Sequence, residues 1–249
     1  MLTRSVRDTA AFLREIDRVH HHGGLPPIGD ITRPGRRRLR IGWTTDGVGH
    51  RADATTRALT EKVAARLAEL GHYVEEVALP LPETLGEDFL LYWSSLAIAV
   101  TSTGRIRKGW DESHLDNLTR GLAAHARRNA VGIPGAIARL RRLGGVVDEF
   151  HRHYDVVLTP TLAHETPKLG HLDPMQDFET VIERLQDWVV FTPLANATGA
   201  PAVSLPLAQT KSGLPQGMMF TARNGWEATL LELAYELEEA FGFASVQGL

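Results

Sequence analysis

Hydroxyl nucleophiles need a base beside them, and the lysines this chain can offer are only Lys62, Lys108, Lys168 and Lys211. None stands in a strand-turn context that would bury it and depress its pKa. Lys211 and Ser212 are adjacent, but the polar stretch Gln209 to Gly213 reads as a solvated hairpin loop. Ser204 reads as a core or pocket-wall serine. No catalytic residue is assigned from these elements. The chain has no cysteine, which excludes disulfides, thiolate metal sites and a thiol nucleophile. No Gly-x-Ser-x-Gly is present, so the nucleophile elbow of an α/β-hydrolase is excluded as well.

Three other groupings carry potential chemistry. Gly47-Val48-Gly49 falls between an expected strand and an expected helix and imitates a pyrophosphate-cradling glycine pattern. The fit is poor: Thr44 to Asp46 separates the strand from the first glycine, Asp53 would set a negative charge near the phosphates, and no clear acid ends the second strand, read as Tyr73 to Leu79. His20-His21-His22, with His50 and His72 elsewhere, could suggest a metal, yet adjacent histidines cannot all face one ion. Arg36-Arg37-Arg38 with Arg40 lacks the interleaved aromatics of a nucleic-acid surface and reads as a solvated run. The expectation is no cofactor and no metal.

Composition sets wider bounds. With 249 residues, 43% of them hydrophobic, the chain can bury a substantial core. Lys and Arg number 27 against 30 for Asp and Glu, a net charge of −3 that offers no general attraction to phosphates. The N-terminus lacks the apolar stretch of a secretory signal, and the longest apolar run, Phe89 to Val100, is shorter than the roughly 20 residues of a membrane span. A soluble, cytoplasmic protein is expected, with no nucleic-acid or membrane partner.

The elements that would position any site follow from periodicity. A helix spans about 3–20, with Ser5 and Asp8 at capping positions. A Pro- and Gly-broken loop covers Gly23 to Gly35. A strand at Leu39 to Trp43, a helix at Thr56 to Leu70 ended by Gly71, and a strand at Tyr73 to Leu79 make a βαβ unit with parallel strands. Residues 83–154 are helix-rich, with breaks expected at Pro134 and Gly144-Gly145. A strand at Asp155 to Thr159 ends at Pro160, and a helix covers Phe178 to Val190. Strands at Ala202 to Leu205 and Gly217 to Thr221 precede a last helix with Leu230, Leu231, Ala234, Leu237 and Phe241 on one face. Glu232, Glu236 and Glu239 fall on the other.

Several blocks, in order, resemble the amidase-signature hydrolases. They are Thr3 to Phe12, Leu39 to Trp43, Tyr154 to Pro160, and a closing pattern of Asn196, Gly199, Pro201, Pro206, Gly213, Leu214, Pro215, Gly217, Glu227 and Leu230-Leu231. The resemblance implies an α/β fold, the C-terminal part of a single amidase domain over 1–249, with a mixed β-sheet flanked by helices and a helical insertion at about 83–154. Members of that family cleave amide bonds with a serine nucleophile, a relaying second serine and a lysine base. Those residues precede the first matched block in the family pattern and have no counterpart here, so the chain is expected to be inactive alone.

By the same resemblance Phe191, Thr192 and Asn196 lie near the substrate, although Asn196 could equally satisfy backbone groups in a turn. Glutamine-specific members carry an aspartate where this chain has Val189, which favours an uncharged amide. The implied partner is a small amide substrate, once the missing half is supplied, with a homodimer as a candidate assembly. A non-catalytic partner or scaffold half is the alternative.

Overall fold

Residues 1–105 and 110–243 are described by the computed structural model. They form a five-stranded mixed sheet flanked by helices. The strands are β1 (Arg40–Trp43), β2 (Tyr73–Glu76), β3 (Val156–Pro160), β4 (Ala202–Gln209) and β5 (Pro215–Ala222), in the order β2-β1-β3-β5-β4. β1 runs parallel to both β2 and β3, whereas β3 to β5 and β5 to β4 are antiparallel. The helices are α1 (Val6–Val19), α2 (Ala54–Glu69), α3 (Leu85–Arg105), α4 (Asn117–Arg128), α5 (Ile133–Phe150), α6 (Phe178–Trp188), α7 (Thr192–Thr198) and α8 (Glu227–Phe241). Among the described residues no helix is long and apolar enough to cross a membrane.

The sheet is buried on two faces with different contents. Side chains alternate along a strand, so Val156 and Leu158 of β3 join Ile41, Met218, Phe220 and Ala222 on one face. There they meet Val63, Ala64 and Leu67 of α2 and Leu230, Ala234 and Leu237 of α8, the main core. Val157 and Thr159 point the other way, opposite Thr221 and Met219 of β5. That second face looks toward α3, α5, α6 and α7 across a cavity.

Local chemistry explains most of the element ends. Ser5 accepts a hydrogen bond from the Asp8 amide and so caps α1, and Asp53, Asp116 and Asp177 cap α2, α4 and α6 in the same way. β2 stops at Glu76 rather than Leu79. Its neighbour β1 ends at Trp43, and Pro80 and Pro82 have no N–H to extend a ladder. β4 runs through Pro206 to Gln209 because it is an edge strand, where a missing N–H is tolerated.

Two helical expectations are corrected. α5 passes unbroken through Gly144-Gly145; the glycines cost it about 1 kcal/mol each relative to alanine, while Leu140 and Leu143 hold the same helix in a buried cluster. Pro134 lies in its first turn, where proline is accepted. α7 was not anticipated, being only seven residues long, but Pro193 near its start and Gly199 at φ 72° just past its end are the ordinary signals of a helix.

The arginine run is not simply solvated. Arg37 pairs with the buried carboxylate of Asp155 at 3.0 Å, which also accepts from the Arg40 amide at 2.7 Å. Arg38 reaches Glu236 of α8, so this acid faces protein and not water. Glu236 also contacts Nε2 of buried His72 at 3.1 Å, while His72 Nδ1 accepts from the Leu39 amide at 3.0 Å. An accepting Nδ1 fixes the neutral tautomer with its proton on Nε2, which then donates to Glu236. Burial depresses the His72 pKa despite the attraction of Glu236.

The neutral ring is therefore the folded form, and its contribution to stability is complete above the unfolded value of about 6.5 and lost as pH falls through the lower folded value. His72→Leu, which strands the Leu39 amide, is expected to cost about 2 kcal/mol at neutral pH. The loss of urea stability between pH 7 and pH 5 should be smaller in the variant than in the parent; equal losses would contradict this account.

Candidate substrate cavity

A cavity of about 820 Å³ lies between the second sheet face and the helices. Val157 and Thr159 of β3 and Met219 and Thr221 of β5 form its floor. The walls are apolar: Phe89, Tyr92, Trp93 and Leu96 come from α3, Val147 and Phe150 from α5, Leu185 from α6 and Leu194 from α7. Apolar enclosure with a few polar points is the usual form of a small-molecule site.

The polar points are few and distinct. Thr159 is buried, and its Oγ1 has no hydrogen-bond partner among the described residues. His151, just past α5, is buried and lines the same space. Asp46, Glu83 and Glu87 are exposed at the rim, and the described lining contains no lysine or arginine. The site is thus apolar inside and negative at its mouth.

Two contacts set the position of the walls. Buried Asp88 of α3 accepts from Arg139 Nε of α5 at 2.8 Å and from Thr84 Oγ1 at 3.0 Å. The Arg139 guanidinium holds the Asp88 carboxyl below the usual carboxylate range. At the mouth, a Cβ on Gly47 would overlap the Val190 Cγ1 atom, so only glycine lets the β1–α2 loop close against the end of α6.

The same loop does not form a phosphate cradle. The Gly47 amide donates to the His50 carbonyl at 2.9 Å, Asp46 bridges to Arg51, and the Asp53 carboxylate occupies the N-terminus of α2 through the Thr56 amide. The Gly47 amide and the helix end that would meet a phosphate are thus already engaged. Among the described residues, no group of three or more His, Asp or Glu is arranged to hold a metal. His21 instead contacts Asp17, and His22 Nδ1 accepts from the Gly24 amide.

The residues assigned from the sequence are placed as follows. Phe191 is buried, lines the cavity and packs with Ala52, Ala163 and Met219. Asn196, on α7, also lines the cavity, and its side chain makes no hydrogen bond to a described residue. Thr192 opens α7 half-buried and is not part of the lining. Val189 and Val190 are part of it.

Lys62, Lys168 and Lys211 are exposed, and Lys108 lies outside the described residues. Ser212 bonds to Thr210, and Ser204 bonds to Thr161 at 2.6 Å on the exposed face of β4, so Ser204 is neither core nor pocket wall. Sequence reasoning missed Thr159 and His151. The phase of β3 could have found Thr159, two residues from Val157 and so on the same face.

Fold and cavity together define an α/β protein with an apolar cavity against one face of a mixed sheet. The chain belongs to the amidase family, whose model matches residues 1–231. It is 54% identical over 250 residues to a Mycobacterium leprae (strain TN) protein named "Putative amidase AmiC", covering 99% of this chain and 53% of that protein. It is 29% identical over 266 residues to the 6-aminohexanoate-cyclic-dimer hydrolase of Paenarthrobacter ureafaciens, covering 96% of this chain and 53% of that one.

A solved structure of 6-aminohexanoate cyclic dimer hydrolase complexed with substrate superposes with a TM-score of 0.78 at 28% identity, over 97% of this chain and 54% of that one. The chain spans about half the length of the curated relatives it matches.

Arg139→Met would leave the Asp88 carboxylate buried without its cation. The expected destabilisation exceeds that of an ordinary surface change and falls below that of a fully enclosed pair, because Arg139 is half exposed. Urea unfolding measures it, and a loss under about 0.5 kcal/mol, the size of an ordinary surface change, would rule out the clamp.

Proposed function

We propose that this chain forms the substrate-binding side of a cytoplasmic serine amidohydrolase that cleaves the C–N bond of small amides. Residues 1–249 are read as the C-terminal portion of a single amidase domain, with α3, α4 and α5 as its helical insertion. The observation that carries the reading is the family match over 1–231 together with an apolar cavity that Phe191 and Asn196 line.

In the proposed reaction a serine oxygen, supplied by residues outside this chain, adds to the amide carbon while a lysine base takes the serine proton through a second serine. Collapse of the tetrahedral adduct breaks the C–N bond, the leaving nitrogen takes that proton, and water then releases the acid. Here the described lysines are exposed and none hydrogen-bonds to a serine, which supports a nucleophile from elsewhere. The work of this half is orientation and exclusion of water.

An uncharged amide suits the cavity. Val189 stands where an aspartate would hold an ammonium group, and the described lining has no cation to hold a carboxylate. The 6-aminohexanoate-cyclic-dimer hydrolase is a relative whose named substrate is consistent with that preference.

The test is complementation: this chain is assayed for ammonia release from hexanamide alone, and co-expressed with the first half of the 54%-identical relative. No turnover alone and turnover in the pair are expected, with Phe191→Asp reducing the paired activity about tenfold or more by charging the apolar wall. Hydrolysis by the chain alone, blocked by a serine-directed inhibitor, would overturn the proposal.

A further inference from the structure

One ring nitrogen at the cavity is left without a partner. His151 Nδ1 lies 3.0 Å from the Tyr154 carbonyl oxygen. A carbonyl oxygen only accepts, so Nδ1 carries a proton, and in the neutral ring Nε2 is then an acceptor. No described residue hydrogen-bonds to Nε2, and the cavity is the space that His151 lines.

The surroundings keep the ring neutral and fixed. Burial is the largest influence and lowers the His151 pKa; Tyr154, Asp148 and Asp155 act in the opposite sense, and Arg223 acts with burial. Phe150 meets the ring edge-on, with centroids 6.1 Å apart and planes at 85°. An acceptor that has no protein partner in an otherwise apolar wall gains a net hydrogen bond from a ligand that brings a donor, which a plain alkyl chain cannot supply. A ligand carboxylate brings no proton, and it would also pass Asp46, Glu83 and Glu87 with no lining cation to offset them.

We infer that His151 is a specificity-determining residue whose Nε2 accepts a hydrogen bond from the far end of the ligand. The cavity therefore selects amides whose apolar chain ends in a neutral hydroxyl or N–H, over plain alkyl chains and over chains ending in a carboxylate. This deepens the amidase reading, on which the amide head group rests; the preference at the other end is a property of the cavity itself.

Calorimetric titration of the purified 249-residue chain with octanamide, 8-hydroxyoctanamide and 8-amino-8-oxooctanoate tests it. The hydroxyl ligand should bind about 3- to 10-fold more tightly than the alkyl one, the worth of one net hydrogen bond, and the carboxylate ligand should bind weakest. His151→Phe should lose the hydroxyl advantage, bringing the ratio of hydroxyl to alkyl affinity to about 1, and His151→Gln, whose carbonyl can accept, should retain part of it.

Equal binding of the hydroxyl and alkyl ligands by the parent, absence of binding by all three, or an advantage that survives in His151→Phe would overturn the inference. If the phenylalanine variant does not fold, the parent's ratio decides alone. A preserved donor preference with no turnover in the complementation assay would sink the amidase reading instead, and turnover without the preference would sink this one.

Discussion

β3 is enclosed on both sides, and the rest of the molecule is arranged around that constraint. All five of its residues are buried, so each side chain must satisfy either the apolar core or the cavity, with no solvent-facing option. Val156 and Leu158 meet the first demand and Val157 and Thr159 the second. Pairing fixes the choice, since β1 on one side and β5 on the other hold the register. A slip of one residue would exchange the two sets.

The antiparallel neighbour extends the same division. Met218, Phe220 and Ala222 continue the core while Met219 and Thr221 continue the floor. The helices then separate by role: α2 and α8 complete the core, whereas α3, α5, α6 and α7 enclose the cavity. Charge follows this plan. Asp88 with Arg139 fastens two of the enclosing helices to each other, and Arg38 with Glu236 and His72 fastens α8 to the strand entry on the opposite side.

Much of this was legible in the residues. The βαβ unit, the cap at Ser5 and the apolar stripe of α8 rest on local periodicity and side-chain chemistry, which act over a few residues and so leave a readable trace. Phe191 and Asn196, expected near a substrate by resemblance, both line the cavity. The unreadable parts depend on partners distant in sequence: Glu236 looks like a solvent-facing acid until Arg38 is brought to it, and Gly144-Gly145 looks like a break until tertiary packing holds α5 together. His151 gave no signal because its role depends on which ring nitrogen a nearby carbonyl occupies. Ser204 was misplaced because a strand's membership in the sheet does not say which of its faces is covered.

The contact between Gly47 and Val190 has a mechanical consequence. With no room for even a methyl group between them, the loop that leads into α2 and the segment that leaves α6 cannot slide past each other independently. Val190 and its neighbours Leu185 and Val189 also border the cavity. A ligand large enough to press on that wall would meet the loop as well, since Gly47 and Val48 line the same cavity.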